Sequence, residues 1–345
     1  MSEAFCMVDA DVFVIGGGPA GLAAAIAARR KGLRVVLADG HDPPVDKACG
    51  EGLMPGTRLA AAALGIEIPE SAGVVFRGVR FLGEKFSVQA DFPLGPGLGL
   101  RRTALHKLLV QAAEQAGVDL RWKTPVRGLH TVRAHWVIGA DGASSRVRQW
   151  AGLDRYKRNS RRFAYRRHFA AEPWSRHIEI HWGEGCQIYI TPTASREVCA
   201  ALISRDPHLR LEEAVARYFP VLAARLGGAE PTSSERGAVT ATVRLAAVAC
   251  DNVALIGDAS GSVDAITGEG IGLSFKQAAV LAEAMVADEL PVYNTMHPRL
   301  ASRPMMMANL MLTLDRGRGV RELALGALAS APLVFRKLLA AHVGA

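Results

Sequence analysis

The chain has 345 residues, of which 50% are hydrophobic and 21% are charged. At roughly 150 residues per domain, this length predicts about two domains, and the composition excludes disordered and fibrous proteins. Lys and Arg together number 41 against 33 Asp and Glu, a net charge of +8. A basic balance favours anionic partners, such as phosphorylated cofactors, acidic lipid surfaces or nucleic acid, but does not choose among them.

The five cysteines are widely spaced and form no CxxC pair. This pattern excludes a disulfide scaffold and a zinc cage, predicts no metal site, and favours a reducing compartment. Residues 1–11 carry acidic residues and no basic region, which is not typical of a signal peptide. The uncharged stretch 12–28 contains three consecutive glycines followed by a proline, so it predicts strand, turn and helix. We expect a cytoplasmic protein, at most peripheral at a membrane.

The hydrophobic pattern changes along the chain between parallel and antiparallel types. A strand (11–15), a helix (22–31) and a strand (33–38) form a βαβ unit, which implies a parallel sheet. Further on we predict antiparallel strands at 74–92 and 162–202, helices at 103–116, 211–226 and 270–287, buried strands at 135–140 and 252–257, and a helical, apolar, basic remainder from 291 to 345.

These elements predict an α/β fold in which one domain is discontinuous and a second is built from its insertions. We place the parallel-sheet domain at residues 1–72, 98–155 and 246–290. The antiparallel-sheet domain takes 73–97 and 156–245, and C-terminal helices take 291–345.

The glycine-rich turn Gly16–Gly21 matches GxGxxG, follows a predicted strand and opens a helix. In such a turn Gly16 permits the tight bend, Gly18 lets the backbone approach a pyrophosphate, and Gly21 lets helix and strand pack closely. Asp39 ends the next strand, where an acid accepts hydrogen bonds from a ribose and disfavours a 2′-phosphate. The pattern predicts a dinucleotide site that is not for NADP; a tight turn with an unrelated acid is the alternative.

Two later segments repeat the order strand, turn, helix: Trp136–Arg148 (WVIGADGASSRVR) and Asn252–Phe275 (NVALIGDASGSVDAITGEGIGLSF). In the second, Asp258 can bind a sugar hydroxyl, and the amides of residues 268–271 can face the electron-rich edge of a cofactor ring. Each segment alone is equally compatible with a purely structural turn.

Together the three segments, with Arg102 and Leu105 at a helix start, resemble the para-hydroxybenzoate hydroxylase-like FAD superfamily. The resemblance spans residues 11–287 and implies a Rossmann-like FAD-binding domain, an antiparallel-sheet substrate domain and C-terminal helices. The cofactor-binding residues that it implies, with those of the first turn, are Gly16, Gly18, Pro19, Ala20, Gly21, Asp39, Gly50, Arg102, Val126, Asp141, Gly142, Gly257, Asp258, Gly268, Gly270 and Ile271.

Within that superfamily, KACGEG at 47–52 and VDAITGEGI resemble the geranylgeranyl reductase-related branch, which holds isoprenoid-saturating reductases, flavin halogenases and monooxygenase-like proteins. Two features depart from the branch: Ala265 replaces a usual proline, and residues 188–192 (IYITP) replace the aromatic-rich segment of the reductases. The tryptophan-rich segment of the halogenases is also missing, which disfavours halogenation.

The resemblance implies an FAD-dependent oxidoreductase whose flavin ring lies between residues 268–271 and 47–52. We favour a monooxygenase that uses NAD(P)H and O₂ on a hydrophobic or aromatic small molecule. The alternatives are a reductase that saturates isoprenoid double bonds and a non-enzymatic flavin-binding redox protein. Because no second GxGxxG is present, NAD(P)H would bind transiently, or a separate protein would donate electrons.

Four residues are candidates for catalysis, each with a structural alternative. The Cys49 thiol, between Lys47 and a predicted helix start, can be acidified beside the flavin, or be a packed hydrophobe. Glu51 and Glu269 can act as acid or base, or be solvated or capping groups. Tyr189 can line the substrate pocket, or belong to the core.

Two further stretches suggest surfaces. Residues 155–162, with Arg166 and Arg167 beyond, are rich in positive charge and aromatics. Nucleic-acid binding through them is conceivable. We favour a solvated face at a sheet edge instead and predict no nucleic acid.

A Met-rich apolar segment (305–314) and 13 uncharged residues (323–335) lie near the C-terminal end. They predict a lid over a lipophilic pocket or an in-plane membrane contact. The alternative is two helices packed on the flavin domain.

Overall fold

A computed structural model describes residues 10–343. The N-terminal segment used to predict the lack of a signal peptide lies largely outside this range, as do residues 344–345. The strands are β1 (Ala10–Ile15), β2 (Val35–Ala38), β3 (Gly52–Leu53), β4 (Val74–Phe76), β5 (Gly78–Leu82), β6 (Ser87–Asp91), β7 (Gly97–Gly99), β8 (Asp119–Arg121), β9 (Ala134–Gly139), β10 (Tyr156–Phe169), β11 (His177–Trp182), β12 (Cys186–Ala194), β13 (Glu197–Ser204), β14 (Arg236–Leu245), β15 (Ala249–Cys250), β16 (Val253–Leu255) and β17 (Gly261–Ser262).

The helices are α1 (Pro19–Arg30), α2 (Pro55–Ala63), α3 (Arg102–Gln115), α4 (Arg146–Trp150), α5 (Leu211–Tyr218), α6 (Pro220–Leu226), α7 (Gly270–Val286), α8 (Leu290–Leu314), α9 (Arg318–Ser330) and α10 (Pro332–Val343), with short 3₁₀ turns at Glu70–Ala72, Leu129–Thr131, Gly257–Ser260 and Ala265–Thr267. The predicted helix 211–226 is two helices, because Pro220 has no N–H to continue the hydrogen-bond ladder of α5.

A six-stranded sheet in the order β15-β16-β9-β1-β2-β8 forms the base of the cofactor domain. Its strands β16, β9, β1, β2 and β8 run parallel, with Val12 opposite Val35 and Trp136, as the βαβ pattern predicts. Side chains alternate across this sheet, so Val12 and Val14 pack in the cluster with α1 and α7, whereas Phe13 and Ile15 belong to a second cluster. The alanines of α1 are small enough to let it lie close on the sheet.

A second sheet has eight strands in the order β17-β14-β10-β13-β12-β11-β5-β6. All its pairings are antiparallel except that between β5 and β11. The predicted antiparallel strands are therefore confirmed. A small antiparallel sheet, β3-β7-β4, joins the first turn segment to this region.

The basic run predicted as a solvated face at a sheet edge is one over residues 155–161, which are exposed except for the half-buried Ser160. This part of strand β10 pairs with β14 on one side, and the pairing with β13 on the other side begins only at Phe163. Arg162 and Arg166 differ: each is only 2% exposed and pairs with a carboxylate, of Asp264 and of Asp46 respectively. The prediction was wrong for these two arginines, since spacing along the chain does not show which cations have buried partners.

The fold is the predicted α/β class, with a Rossmann-like parallel sheet, an antiparallel sheet and C-terminal helices α8–α10. The exact domain boundaries stay a prediction. Between residues 10 and 343, no single helix is long and apolar enough to cross a membrane; only α9 and α10 together meet that criterion, as a pair bent by 106°.

Candidate active site

The glycine-rich turn brings β1, β9 and α1 into close contact. Gly16 has a φ of +114°, and a Cβ there would lie 2.5 Å from the carbonyl oxygen of Ala140. A Cβ on Gly21 would overlap the carbonyl oxygen of Gly16. Both positions therefore require glycine, in the roles that the spacing predicted.

Gly18 differs from its neighbours because it faces open space. Within residues 10–343, no heavy atom lies within 4 Å of a Cβ built at Gly18, and Gly18 immediately precedes α1. The first N–H groups of a helix have no partner within that helix, so they are free to bind an anion. The turn is therefore open where a pyrophosphate would approach.

Asp39 lies across this turn and orients it. Its carboxylate accepts hydrogen bonds from the backbone N–H of Gly17 (2.6 Å) and of His41 (2.8 Å). Its role toward a ribose stays a prediction, but the acid and the turn are held together as the spacing required.

A cavity of about 830 Å³ extends from this turn between the two large sheets and the C-terminal helices. Nine of the predicted cofactor-binding residues line it: Pro19, Ala20, Gly50, Arg102, Gly257, Asp258, Gly268, Gly270 and Ile271. Ala143 and Ser144 of the second segment also line it. The three glycine-bearing segments thus converge on one space, within the usual size range of cofactor and ligand sites.

Two charged groups in this cavity fit a bound cofactor. The Nε atom of Arg102 is buried and has no hydrogen-bond partner within residues 10–343, which is the expected state of a guanidinium that awaits an anionic ligand. Asp258 is exposed to the cavity, and burial within the protein raises the pKa of its carboxyl, with Lys47 and Arg102 acting in the opposite direction. These groups fit the phosphates and hydroxyls of FAD.

The other predicted cofactor residues have structural roles around the turn. Asp141 accepts hydrogen bonds from the Ser145 hydroxyl (2.5 Å) and the Arg146 N–H (2.7 Å), so it stabilises the start of α4. Gly142 has a φ of +84°. Val126 packs against the hydrophobic cluster beneath the sheet. Contact of these residues with FAD stays a prediction.

The far end of the cavity is walled by apolar side chains. They come from α8, α9, α10 and the neighbouring strands β5 and β11: Met307, Leu310, Met311, Leu314, Ala324, Ala327, Leu328, Phe335, Leu338, Leu339, Val79, Phe81, Ile178 and Ile180. The prediction that the C-terminal segment covers a lipophilic pocket therefore matches the position of these helices.

Two cations of the basic run line the same cavity. Arg158 is opposite Val243 and Arg161 is opposite Ala241 on β14, because Ser160 forms a bulge between them. Val243 and Ala241 are two residues apart, so their side chains lie on one face of β14. Their partners Arg158 and Arg161 therefore lie on one face of β10. Neither forms an ion pair with a residue that the structure describes.

Comparison with known proteins decides the family. A family model described as "FAD binding domain" matches residues 9–289. The chain belongs to this family. It is an FAD-dependent oxidoreductase, and the predicted superfamily and branch are confirmed.

This FAD-binding oxidoreductase is similar to two reductases of known name. It is 28% identical over 350 aligned residues to a menaquinone reductase of Mycolicibacterium smegmatis, covering 89% of this chain and 85% of that one. It is 26% identical to a digeranylgeranylglycerophospholipid reductase of Methanothrix thermoacetophila, covering 81% and 78%. Among solved structures, the flavin-dependent brominase Bmp2 superposes with a TM-score of 0.84 at 18% identity over 98% of this chain and 94% of the other. That likeness shows the fold alone.

Cys49 lines the cavity of this oxidoreductase, and its surroundings favour the alternative of a packed thiol over an acidified one. Burial raises the pKa of the thiol, and it outweighs the opposite effect of the Arg102 and Arg166 guanidinium groups. The Cys49 side chain is half-buried. The prediction relied on Lys47, a neighbour in sequence that is exposed to solvent.

Glu51 lines the cavity and is held in a buried network. Its carboxylate lies 2.5 Å from His168 Nε2 and accepts a hydrogen bond from the Arg102 N–H (3.0 Å). Glu51, His168 and Cys199 bring three possible metal-ligating atoms within 4.8 Å. The Arg166 guanidinium, whose Nε lies 3.8 Å from Glu51, disfavours a cation at that point.

Tyr189 is a wall residue of the cavity, and its hydroxyl supports the loop before α7. It donates a hydrogen bond to the carbonyl of Ile266 (2.7 Å), and burial raises its pKa, so it stays protonated. Tyr189→Phe should lower the free energy of unfolding by about 1–2 kcal/mol, because a buried carbonyl loses its donor. Chemical denaturation would measure this, with the half-buried Tyr218→Phe as control; equal stability of both variants would contradict the supporting role.

Sequence reasoning missed His342, which lines the cavity from α10 and lies 3.4 Å from Glu269. Sequence reasoning also missed Asp264 and Asp315, whose carboxylates form ion pairs with the buried Arg162. No signal along the chain could identify these groups, because each partner is distant in sequence.

Proposed function

We propose that this FAD-dependent oxidoreductase saturates a carbon–carbon double bond of an isoprenoid lipid. The observation that supports this best is the apolar wall of α8–α10, which lines the same cavity as Gly50, Gly268 and the first turn of α7 at Ile271. The proposal reverses the order of the sequence prediction, which favoured a monooxygenase.

A long hydrocarbon suits the apolar end of the cavity better than a polar aromatic ring does. The side chains of that wall are all aliphatic, aromatic or Met, and none can donate a hydrogen bond. Burial of hydrocarbon against them stabilises a complex by about 25 cal/mol per Å². The same cavity also has polar lining residues, among them Arg158 and Arg161, so it is this wall that favours a hydrocarbon.

The names of the relatives agree with this chemistry. Digeranylgeranyl is an isoprenoid group, and menaquinone is a lipid that carries an isoprenoid chain. Bound and reduced, FAD would supply the hydride. The residues of this chain would bind the alkene, orient it and exclude water. NAD(P)H binding transiently, or a separate protein, would supply the electrons.

The test is to incubate the holoenzyme with dithionite, without O₂, in the presence of menaquinone or a digeranylgeranylglycerophospholipid. We expect a product heavier by two hydrogen atoms, which tandem mass spectrometry locates on the isoprenoid chain. A flavin-free preparation of the same enzyme is the control. A product that forms only with O₂ and gains one oxygen atom would show a monooxygenase instead, and no conversion of either lipid would favour a non-enzymatic redox protein.

We also propose that α9 and α10 lie on a membrane surface from which the lipid enters. Leu323 on α9 is 77% exposed and Leu333 on α10 is 66% exposed. Leu323 and the wall residue Ala327 are four residues apart on one helix face, so the exposed apolar surface continues into the cavity. Arg336 and Lys337 beside this surface favour anionic lipid head groups.

Replacing both Leu323 and Leu333 by Asp should weaken binding to anionic phospholipid vesicles by at least about tenfold. Each leucine that leaves water and enters the bilayer contributes about 1.5–3 kcal/mol to binding. Vesicle co-sedimentation measures the effect. The matched control is Val221→Asp on α6, a residue that is 63% exposed. Unchanged vesicle binding by the double variant would contradict the proposed surface.

A further inference from the structure

A glutamate and a histidine meet at the wall of the cavity from opposite ends of the chain. Glu269 directly precedes α7, and His342 lies near the end of α10. Glu269 Oε2 is 3.4 Å from His342 Nδ1. Both atoms are buried, and neither has a hydrogen-bond partner in the described part of the chain, so each is the nearest polar group available to the other. The close approach of α10 depends on Gly56, where a Cβ would lie 2.5 Å from the Val343 carbonyl oxygen.

The hydrogen bond on the other side of the imidazole sets where its proton lies. His342 Nε2 is 3.2 Å from the carbonyl oxygen of Thr267, and a carbonyl only accepts, so Nε2 carries the hydrogen. In the neutral ring Nδ1 is then an acceptor. It faces Glu269 favourably only when that carboxyl is protonated, so the pair together holds one mobile proton.

The electrostatics of the pair agree with this assignment. Burial raises the pKa of Glu269 to about 7, although Lys276 and Arg303 act to lower it. Burial lowers the pKa of His342 to about 4, with Arg303 acting in the same direction. Near neutral pH the imidazole is therefore neutral and the carboxyl is close to half protonated.

The two residues face different spaces. His342 lines the large cavity, together with Gly268 and Ile271. Glu269 lines a small pocket behind it, beside Lys276 and Leu300. A proton can thus pass from Glu269 through the imidazole to a molecule in the cavity.

We propose that Glu269 and His342 form a proton-delivery pair, which supplies the proton that alkene saturation requires; this rests on the proposed function. One alkene carbon gains a hydride from the reduced cofactor, and the other gains the proton of His342 Nε2 as the C=C π bond and the hydrogen bond from Nε2 to Thr267 break. In the same step the proton of Glu269 moves to Nδ1, so the imidazole stays neutral and ends with its hydrogen on Nδ1. Glu269 is left as a carboxylate near Lys276 and Arg303.

The first test needs no substrate. We expect the midpoint potential of bound flavin, plotted against pH, to change slope near pH 7 in the wild type, because the carboxyl between the cavity-lining residues Gly268 and Gly270 changes charge there. Glu269→Gln should remove this change of slope. Glu283→Gln, on an exposed position of the same helix, should retain it. A change of slope that persists in Glu269→Gln would overturn the proposal.

The second test measures single turnovers of fully reduced holoenzyme with a digeranylgeranylglycerophospholipid. A group that must donate a proton works below its pKa, so the wild-type rate should fall as pH rises through about 7. Glu269→Gln should lower the rate at pH 6 at least about tenfold and abolish this dependence. His342→Gln, which retains a donor toward Thr267, should do the same, and it provides the test if Glu269→Gln does not fold.

The outcomes separate the two proposals. If the potential loses its change of slope in Glu269→Gln but the wild type saturates no lipid, the pair holds a proton and the proposed function fails. If the lipid is saturated and Glu269→Gln retains the wild-type pH profile, the function stands and the delivery pair is overturned.

Discussion

Replacing Gly18 by Val is expected to yield a folded protein that retains less than about a tenth of the wild-type flavin. A valine side chain at this position meets no protein atom within 4 Å of its Cβ, and glycine there has an ordinary φ of −71°. The substitution therefore costs little in the free protein. Its methyl groups instead occupy the space above the start of α1, where the pyrophosphate must approach the backbone N–H groups.

The expected loss of flavin affinity in Gly18→Val follows from the hydrogen bonds to the pyrophosphate that the variant would lose. Two hydrogen bonds to a charged phosphate, at about 1.5–3 kcal/mol each, correspond to at least a hundredfold loss of affinity. Flavin absorbance per chain after gel filtration measures the loss, and thermal unfolding of the apoprotein checks the fold. The control is Gly319→Val, since Gly319 on α9 also faces open space. Wild-type flavin content in Gly18→Val would contradict the assignment of the turn.

Replacing Arg162 by Met is expected to lower the free energy of unfolding by about 3–5 kcal/mol. Arg162 lies in a buried network, where its guanidinium donates to Asp264 (2.6 Å) and Gln187 (2.8 Å) and lies 3.6 Å from Asp315. The Asp264 and Asp315 side chains have no exposed surface. Methionine fills a similar length but leaves these carboxylates without their shared cation.

The neighbouring Arg161 provides the matched control. It belongs to the same strand but is exposed, so Arg161→Met should change stability by no more than about 0.5–1 kcal/mol. Urea denaturation of both variants measures the difference. A loss below about 1 kcal/mol in Arg162→Met would show that the buried network does not stabilise the junction between the antiparallel sheet and α8.

The parts of the structure that sequence reasoning predicted well depend on local patterns. The bend at Gly16, the packing at Gly21 and the helix from Gly270 follow from backbone geometry and hydrophobic periodicity within short windows. The convergence of the three segments on one cavity followed only from the family resemblance, because no local pattern specifies the distance between segments so far apart in the chain.

The parts that were missed depend on burial and on distant partners. Arg162 and Arg161 are adjacent and chemically identical, yet one is buried in an ion-pair network and the other lines a cavity. The Cys49 thiol could be acidic or packed by sequence reasoning alone, and only the surrounding protein, which raises its pKa, favours the packed thiol. Glu269 was a candidate acid, whereas its partner His342 is brought to it only by the packing of α10.

In the proposed reaction, reduced flavin in this cavity gives its hydride to an isoprenoid double bond. Reoxidation of the flavin by the lipid tests this most directly. Reduced holoenzyme is mixed without O₂ with a digeranylgeranylglycerophospholipid or with its fully saturated counterpart, and the absorbance of oxidised flavin is followed. We expect the absorbance to return with the unsaturated lipid and to stay low with the saturated one. Flavin that stays reduced with both lipids, but is reoxidised once O₂ is admitted, would contradict the claim.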